Sequence, residues 1–151
     1  MVSRSALIVV SSVQLVAQLA GHLVALRRRR SFDVPFLTGS PDHVGRDWLW
    51  FGTAYSAPSY MVAAQVWAIS RLLRGPDERA RRALRLLGTG MCFGYPIERM
   101  DRARIRPGGF EPIETPIVVV GWSGAITMAL LGRPEREHRD SSPVASGIQA
   151  A

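Results

Sequence analysis

The sequence predicts an all-α membrane protein whose helices pack as a polytopic bundle, most simply of four spans. Three observations lead there. Ser5 to Leu26 is a run of 22 residues without a formal charge, closed by Arg27, Arg28, Arg29 and Arg30. Further uncharged runs follow at Trp48–Ser70 and Thr115–Gly132, with a shorter one at Leu86–Ile97. The charge that gives the 151-residue chain its net +7 is gathered between these runs. Charged residues therefore punctuate apolar segments, as loops punctuate membrane spans.

The first run, as a helix rising about 1.5 Å per residue, is roughly 33 Å long, enough for a bilayer core. A secretory signal would be shorter, and would carry small residues where the four arginines stand. A retained span over residues 5–26 is the better reading. The second span is expected over 48–70, with Trp48 and Trp50 at the headgroups and Pro58 bending the helix. The third is expected over 82–99. Its uncharged part alone makes only about 18 Å of helix, so Arg85 and Arg99 must snorkel outward. A re-entrant or interfacial helix starting near Asp77 is the alternative. Gly90 and Gly94 form a GxxxG that permits close helix contact. The fourth span, 115–132, opens with Thr115 as N-cap and Pro116 in the first turn. Residues 134–151 form a polar, Ser- and Ala-rich tail, expected to be disordered.

Composition excludes several functions. All 19 basic residues are arginine, and lysine and asparagine are absent, as a GC-rich genome would favour. These arginines flank apolar runs, so they read as membrane flanks and not as a nucleic-acid surface. One cysteine, Cys92, excludes an intrachain disulfide and CxxC chemistry. His22, His43 and His138 show neither bis-His haem depth nor a helical metal spacing, so no metal or cofactor is expected. Ser123 in GWSGA lacks the second glycine and the strand of a hydrolase elbow.

Helical periodicity sorts the faces. At 100° per residue, Ser11, Gln14, Gln18 and His22 share one sector of the first helix. Val9, Val13, Val16, Ala20, Leu23 and Val24 cover the opposite side. The polar row should face protein, because unpaired amides are costly in hydrocarbon. On the second span, Gly52, Ser56, Ser59, Tyr60, Ala63, Trp67 and Ser70 fall on one face, and Tyr60 can pair with a glutamine. On the fourth, Gly121, Gly124 and Ala125 share a face, with Trp122 deep in the span.

In a four-span chain the first and third loops emerge on the same side. His22, Asp47, Glu98 and Glu114 then approach one membrane face, joined by Tyr95. Two readings follow. In the first, a bundle binds a lipophilic small molecule or a membrane partner, with Gln14, Gln18, Tyr60, Tyr95 and Trp122 as candidate ligand contacts. In the second, His22, Glu98 and Glu114 do acid–base work on a lipid-like substrate. The plainer alternative makes the acidic groups interfacial caps and salt-bridge partners, and the segment ERMDRARIR a solvated helical extension at the headgroups. Transport would require oligomers formed through Gly90, Gly94 or Gly121.

The segments DVPFLTG (33–39), GRDWLWFGTAYSAP (45–58), GYPIER (94–99) and EPIETPIVVVGW (111–122) resemble the small multi-span proteins of unknown function encoded in actinobacterial genomes. The resemblance covers most of residues 5–133. It implies a multi-pass protein of the bacterial cytoplasmic membrane, in contact with the lipid bilayer, and implies no activity. Loop arginines are too evenly shared for the positive-inside rule to orient the bundle, although Arg27–Arg30 alone favour a cytoplasmic position.

Overall fold

A computed structural model describes residues 4–133; the expected tail over 134–151 lies outside the described residues. Its elements are α1 (Arg4–Arg28), a two-residue hairpin β1 (Asp33–Val34) and β2 (Leu37–Thr38), the single turn α2 (Val44–Asp47), α3 (Ser59–Arg74), α4 (Glu78–Ile97), α5 (Arg99–Ile105) and α6 (Glu114–Leu131). The chain is mostly helical. The four longer helices run alternately up and down and close a ring in the order α1, α6, α4, α3. Of these, α1 and α6 are long and apolar enough to cross a membrane.

Each helix end has a local cause. α1 stops at Arg29, whose φ of 52° is left-handed, while the Arg30 amide donates back to the Ala25 carbonyl at 2.8 Å. This is a Schellman closure with arginine where glycine is usual. α4 opens on Asp77, whose carboxylate accepts the Ala80 amide at 3.0 Å and the Arg71 guanidinium at 2.7 Å. At the opposite end of the ring from α4's C-terminus, Arg81 donates to the Leu131 carbonyl, tying the start of α4 to the end of α6.

Two boundaries differ from the sequence expectation. The run 48–70 is not one helix, because α3 begins only at Ser59. Pro58 sits outside it with ψ 151°, so the proline starts the helix and does not bend it. Proline also disfavours helical backbone at the residue before it, which keeps Ala57 out. Residues 48–57 instead fold as a tight loop, with a Thr53–Ser56 bridge and Gly52 at φ 91°. The α6 cap also differs. Thr115 lies within the helix, and the Glu111 carboxylate accepts the Ile113 and Glu114 amides at 2.9 and 2.6 Å. The Thr115 hydroxyl in turn accepts the Glu111 amide at 2.8 Å, so the two side chains close the helix start reciprocally.

The ring buries a polar cluster within an otherwise apolar core and is apolar on much of its outside. Ser11, Gln14 and Gln18 of α1 and Gln65 of α3 are fully buried. Gln18 donates to the carbonyl oxygens of Gln14 and Gln65 at 2.8 and 2.9 Å, and Gln65 donates to Gln14 at 2.7 Å. Gln65 also donates to the Ser11 carbonyl at 2.8 Å. The outer surface carries Val9, Val13, Val16, Leu23, Val66, Leu73, Leu86, Phe93, Val119 and Leu130, with Val16 65% exposed. On α3 the buried face is Val62, Gln65, Ala68, Ile69 and Leu72. The predicted face through Tyr60 and Trp67 points outward, with both rings about half exposed.

Glycines set the close approaches. A Cβ at Gly88 would lie 2.7 Å from the Ala125 carbonyl oxygen, and one at Gly124 2.8 Å from the Gln14 Cβ. Gly121 receives the Tyr95 hydroxyl. These small faces are used within the chain. The GxxxG pair behaves otherwise: nothing lies within 4 Å of a Cβ at Gly94, and only the Met61 methyl, at 3.9 Å, approaches Gly90. It makes no close helix contact.

Candidate functional site

The first loop and the α4–α6 connection meet at one end of the ring. Two acidic centres form there, and they differ in kind.

The first is Glu114, the opening residue of α6, with no side-chain exposure. Its carboxylate accepts Arg28 at 2.8 Å, Arg104 at 2.7 Å and the Tyr55 hydroxyl at 2.6 Å. Arg28 also reaches Glu111 at 2.9 Å. One carboxylate therefore joins the end of α1, the loop at Tyr55, α5 and α6. Gly21 makes this possible, because a side chain there would collide with the Tyr55 backbone. Burial, then the neighbouring Glu114, pushes the Tyr55 phenol well above its ordinary range.

The second centre is Glu98 and Asp101, just beyond the end of α4. They are 6% and 3% exposed. Glu98 accepts the Asp33 amide at 2.9 Å. Asp101 has an oxygen, Oδ1, that is buried without any hydrogen-bond partner. Among the described residues no arginine forms an ion pair with either group; the nearby Arg99 is drawn 3.7 Å from Asp33 instead. Burial pushes the Glu98 carboxyl up to about 7, although the Asp33 and Met100 amides and Arg102 restrain it. Burial and the Glu98 charge push Asp101 up to about 9. α5 is thus not a fully solvated extension: Asp101 turns inward from it.

A cavity of about 170 Å³ opens beside this pair. Glu98, Asp101, Tyr95 and Gln18 supply its polar wall, and Phe51, Ala54, Pro58, Met61 and Met91 much of its apolar wall. Gly90 and Gly94 form a side-chain-free strip along α4. An engineered apolar cavity of about 150 Å³ holds one benzene-sized molecule, so this one takes a small molecule or one end of a larger one.

The predicted residues divide accordingly. Gln18, Tyr95 and Glu98 meet at the cavity. Gln14 lies behind it in the glutamine cluster, with its amide nitrogen 3.2 Å from the Met91 sulfur. The proposed acid–base trio is not assembled. Glu114 is held by arginines, and His22 stacks on Trp48 with ring centroids 4.0 Å apart and Nδ1 unpartnered. Neither lines the cavity. Tyr60 points away, and Trp122 donates to the Cys92 carbonyl at 3.3 Å as a packing contact. Sequence reasoning missed Asp101, Tyr55 and Gln65. Gln65 had a usable signal, a lone amide in an apolar run. No set of three or more His, Cys, Asp or Glu among the described residues is placed to hold a metal ion.

No protein-family model, curated protein or solved structure matches the chain.

Proposed function

We propose that the protein is a four-span bundle of the bacterial cytoplasmic membrane that binds a lipophilic small molecule in the cavity beside Glu98 and Asp101. The observation that carries this reading is the cavity, walled mainly by apolar groups, with Gln18, Tyr95, Glu98 and Asp101 as a polar minority. Ligand sites combine these features, with apolar walls for affinity and a few convergent polar groups for orientation. The bilayer setting is supported by the inverted surface, with glutamines inside and valines, leucines and phenylalanines outside. Water would penalise such an exterior, whereas hydrocarbon accepts it. Phe36, Trp50 and Phe110 are exposed in the two loops at the cavity end, where aromatic rings suit the headgroup region. α3 is 16 residues, about 24 Å if ideal, so the bundle requires local thinning of the bilayer around it.

Mass spectrometry on protein purified in mild detergent tests the binding reading. A lipophile retained by the native chain and absent from a Gly94→Leu variant supports it; equal retention by both sinks it. The spans are tested separately, by labelling single cysteines at 38 and 108 in a Cys92-free background. Labelling from opposite sides ends the four-span arrangement. An acid–base enzyme is the second reading, favoured by the two buried carboxyls in the cavity lining. It would use Glu98 and Asp101 in place of His22 and Glu114.

A further inference from the structure

We propose that the cavity takes the amine head of a single-chain amphiphile, which enters sideways from the bilayer between α3 and α4 across Gly90 and Gly94. The inference rests on the ligand-binding reading above and assigns that ligand a chemical class and a route.

The class follows from what faces the cavity. Two buried carboxyls belong to its lining, and Asp101 Oδ1, closed off just behind the cavity surface, has no partner among the described residues. A buried oxygen in that state lacks a donor, and burial without one costs free energy. The same end of the ring shows what satisfies a buried carboxylate in this protein: Glu114 has two guanidinium groups and a phenol. Among the described residues, Glu98 and Asp101 have no such cation paired to them. Tyr95 and Gln18 share the lining with them, Asp33 donates its amide to Glu98, and Arg102 acts on Glu98 through its charge without an ion pair. An anionic head would find no guanidinium on the cavity wall, and holding it would require both acids to stay protonated. An ammonium group supplies up to three donors and the missing charge. With Asp101 protonated in the empty cavity, an amine arriving from lipid as its neutral base takes that proton. The N–H bond forms as the O–H bond breaks, and the ammonium–carboxylate pair remains in place.

The route follows from the glycine strip. Gly90 and Gly94 are exposed on the outside of α4 and also line the cavity. No side chain covers Gly94, and Met61, unbranched and flexible, is the neighbour at Gly90. The surface beside this gap is apolar, with Tyr60 on α3 and Phe93 and Ile97 on α4 all exposed. A hydrocarbon tail can leave the cavity there into lipid while the head stays with the carboxyls. The cavity is too small for head and tail together, which a lateral opening resolves.

Equilibrium dialysis of the full chain in phosphatidylcholine nanodiscs, with labelled dodecylamine, dodecanol and dodecanoate as probes, tests the inference. Dodecylamine should bind at least about tenfold tighter than dodecanol, the ratio one charge-assisted contact supplies, and dodecanoate should not bind. Asp101→Asn should lower amine affinity by about tenfold and leave dodecanol unchanged. Glu98→Gln, if it folds where Asp101→Asn does not, should act in the same direction. Gly94→Leu, with room for its side chain, should abolish binding of both amine and alcohol without lowering the unfolding temperature. Equal binding of amine and alcohol, or amine binding indifferent to both carboxyl variants, overturns the amine assignment and leaves the cavity reading standing. Undiminished binding to Gly94→Leu overturns the lateral route. If no probe binds the native protein, the binding reading itself falls.

Discussion

Glu114 and the Glu98–Asp101 pair sit at the same end of the ring and are buried to a similar degree, yet they are opposites. Glu114 is surrounded by Arg28, Arg104 and Tyr55, and its four elements are drawn together through one carboxylate. Glu98 and Asp101 border a cavity, hold one backbone donor to Glu98, and leave Asp101 Oδ1 unanswered. The contrast teaches that burial of an acid does not by itself mark a site. A buried carboxylate whose cations come from its own chain is a fastening; one without them is open to a partner from outside.

The comparison breaks first at Glu114. Glu114→Ala leaves two arginines without their acceptor at a packed junction and should cost about 3–5 kcal/mol, read as a lowered unfolding midpoint in detergent. Asp101→Asn should raise the same midpoint at pH 7, because the amide folds without the proton uptake that the buried acid requires at that pH. If the two variants swap behaviour, the roles assigned to the two centres are reversed.

Tyr55→Phe comes next. It removes a hydrogen bond to a charged acceptor while keeping the ring, so about 2 kcal/mol should be lost, measurable by the same unfolding assay. A loss below the error of the assay would mean that the arginines alone satisfy Glu114.

pH sharpens the contrast more gently. The folded-state pKa of Asp101 is raised to about 9 and that of Glu98 to about 7, each above its ordinary value. The stability each acid contributes is therefore fully present below its unfolded pKa and is lost as pH rises through the folded value. Stability should fall between pH 5 and pH 9, by at most about 1.4 kcal/mol per pH unit for each proton released. Asp101→Asn should flatten the upper part of that curve. A curve that rises over this range would show the pair to be charged and partnered.

The smallest effect is expected away from both centres. Gln65→Leu removes the donor to Gln14 and the Ser11 carbonyl, at a cost of about 1 kcal/mol, because interhelical hydrogen bonds in membrane helices are individually modest. Unfolding of the variant in detergent checks this; no change would make the glutamine cluster incidental to assembly.

Much of the helical layout was legible. The uncharged run at 5–26 and the polar row Ser11, Gln14, Gln18 depend only on composition and the 3.6-residue period, and that row is where the burial falls. The second run misled because hydropathy cannot distinguish an apolar loop from an apolar helix. Trp48, Phe51 and Ala54 count as span residues by composition, while Gly52 and Pro58 make them a loop. Within α3, Ser59, Tyr60, Ala63 and Trp67 share a helical face, but the buried side is the one Val62, Gln65, Ala68 and Leu72 mark. Gly90 and Gly94 misled in another way. Small-residue spacing permits close contact but does not require it, and here the space is left open.

By itself the sequence determined an all-helical chain with apolar segments, arginine-marked boundaries and acidic residues near helix ends. These are properties of periodicity and composition, which act over a few turns. Tertiary structure decided which acid found a cation. Glu114 meets Arg28 across 86 positions and Arg104 across 10, whereas Asp101, inside an arginine-rich segment, forms no ion pair among the described residues. Charge pairing depends on distance in space and on the dielectric around it, and neither is written in the order of residues along the chain.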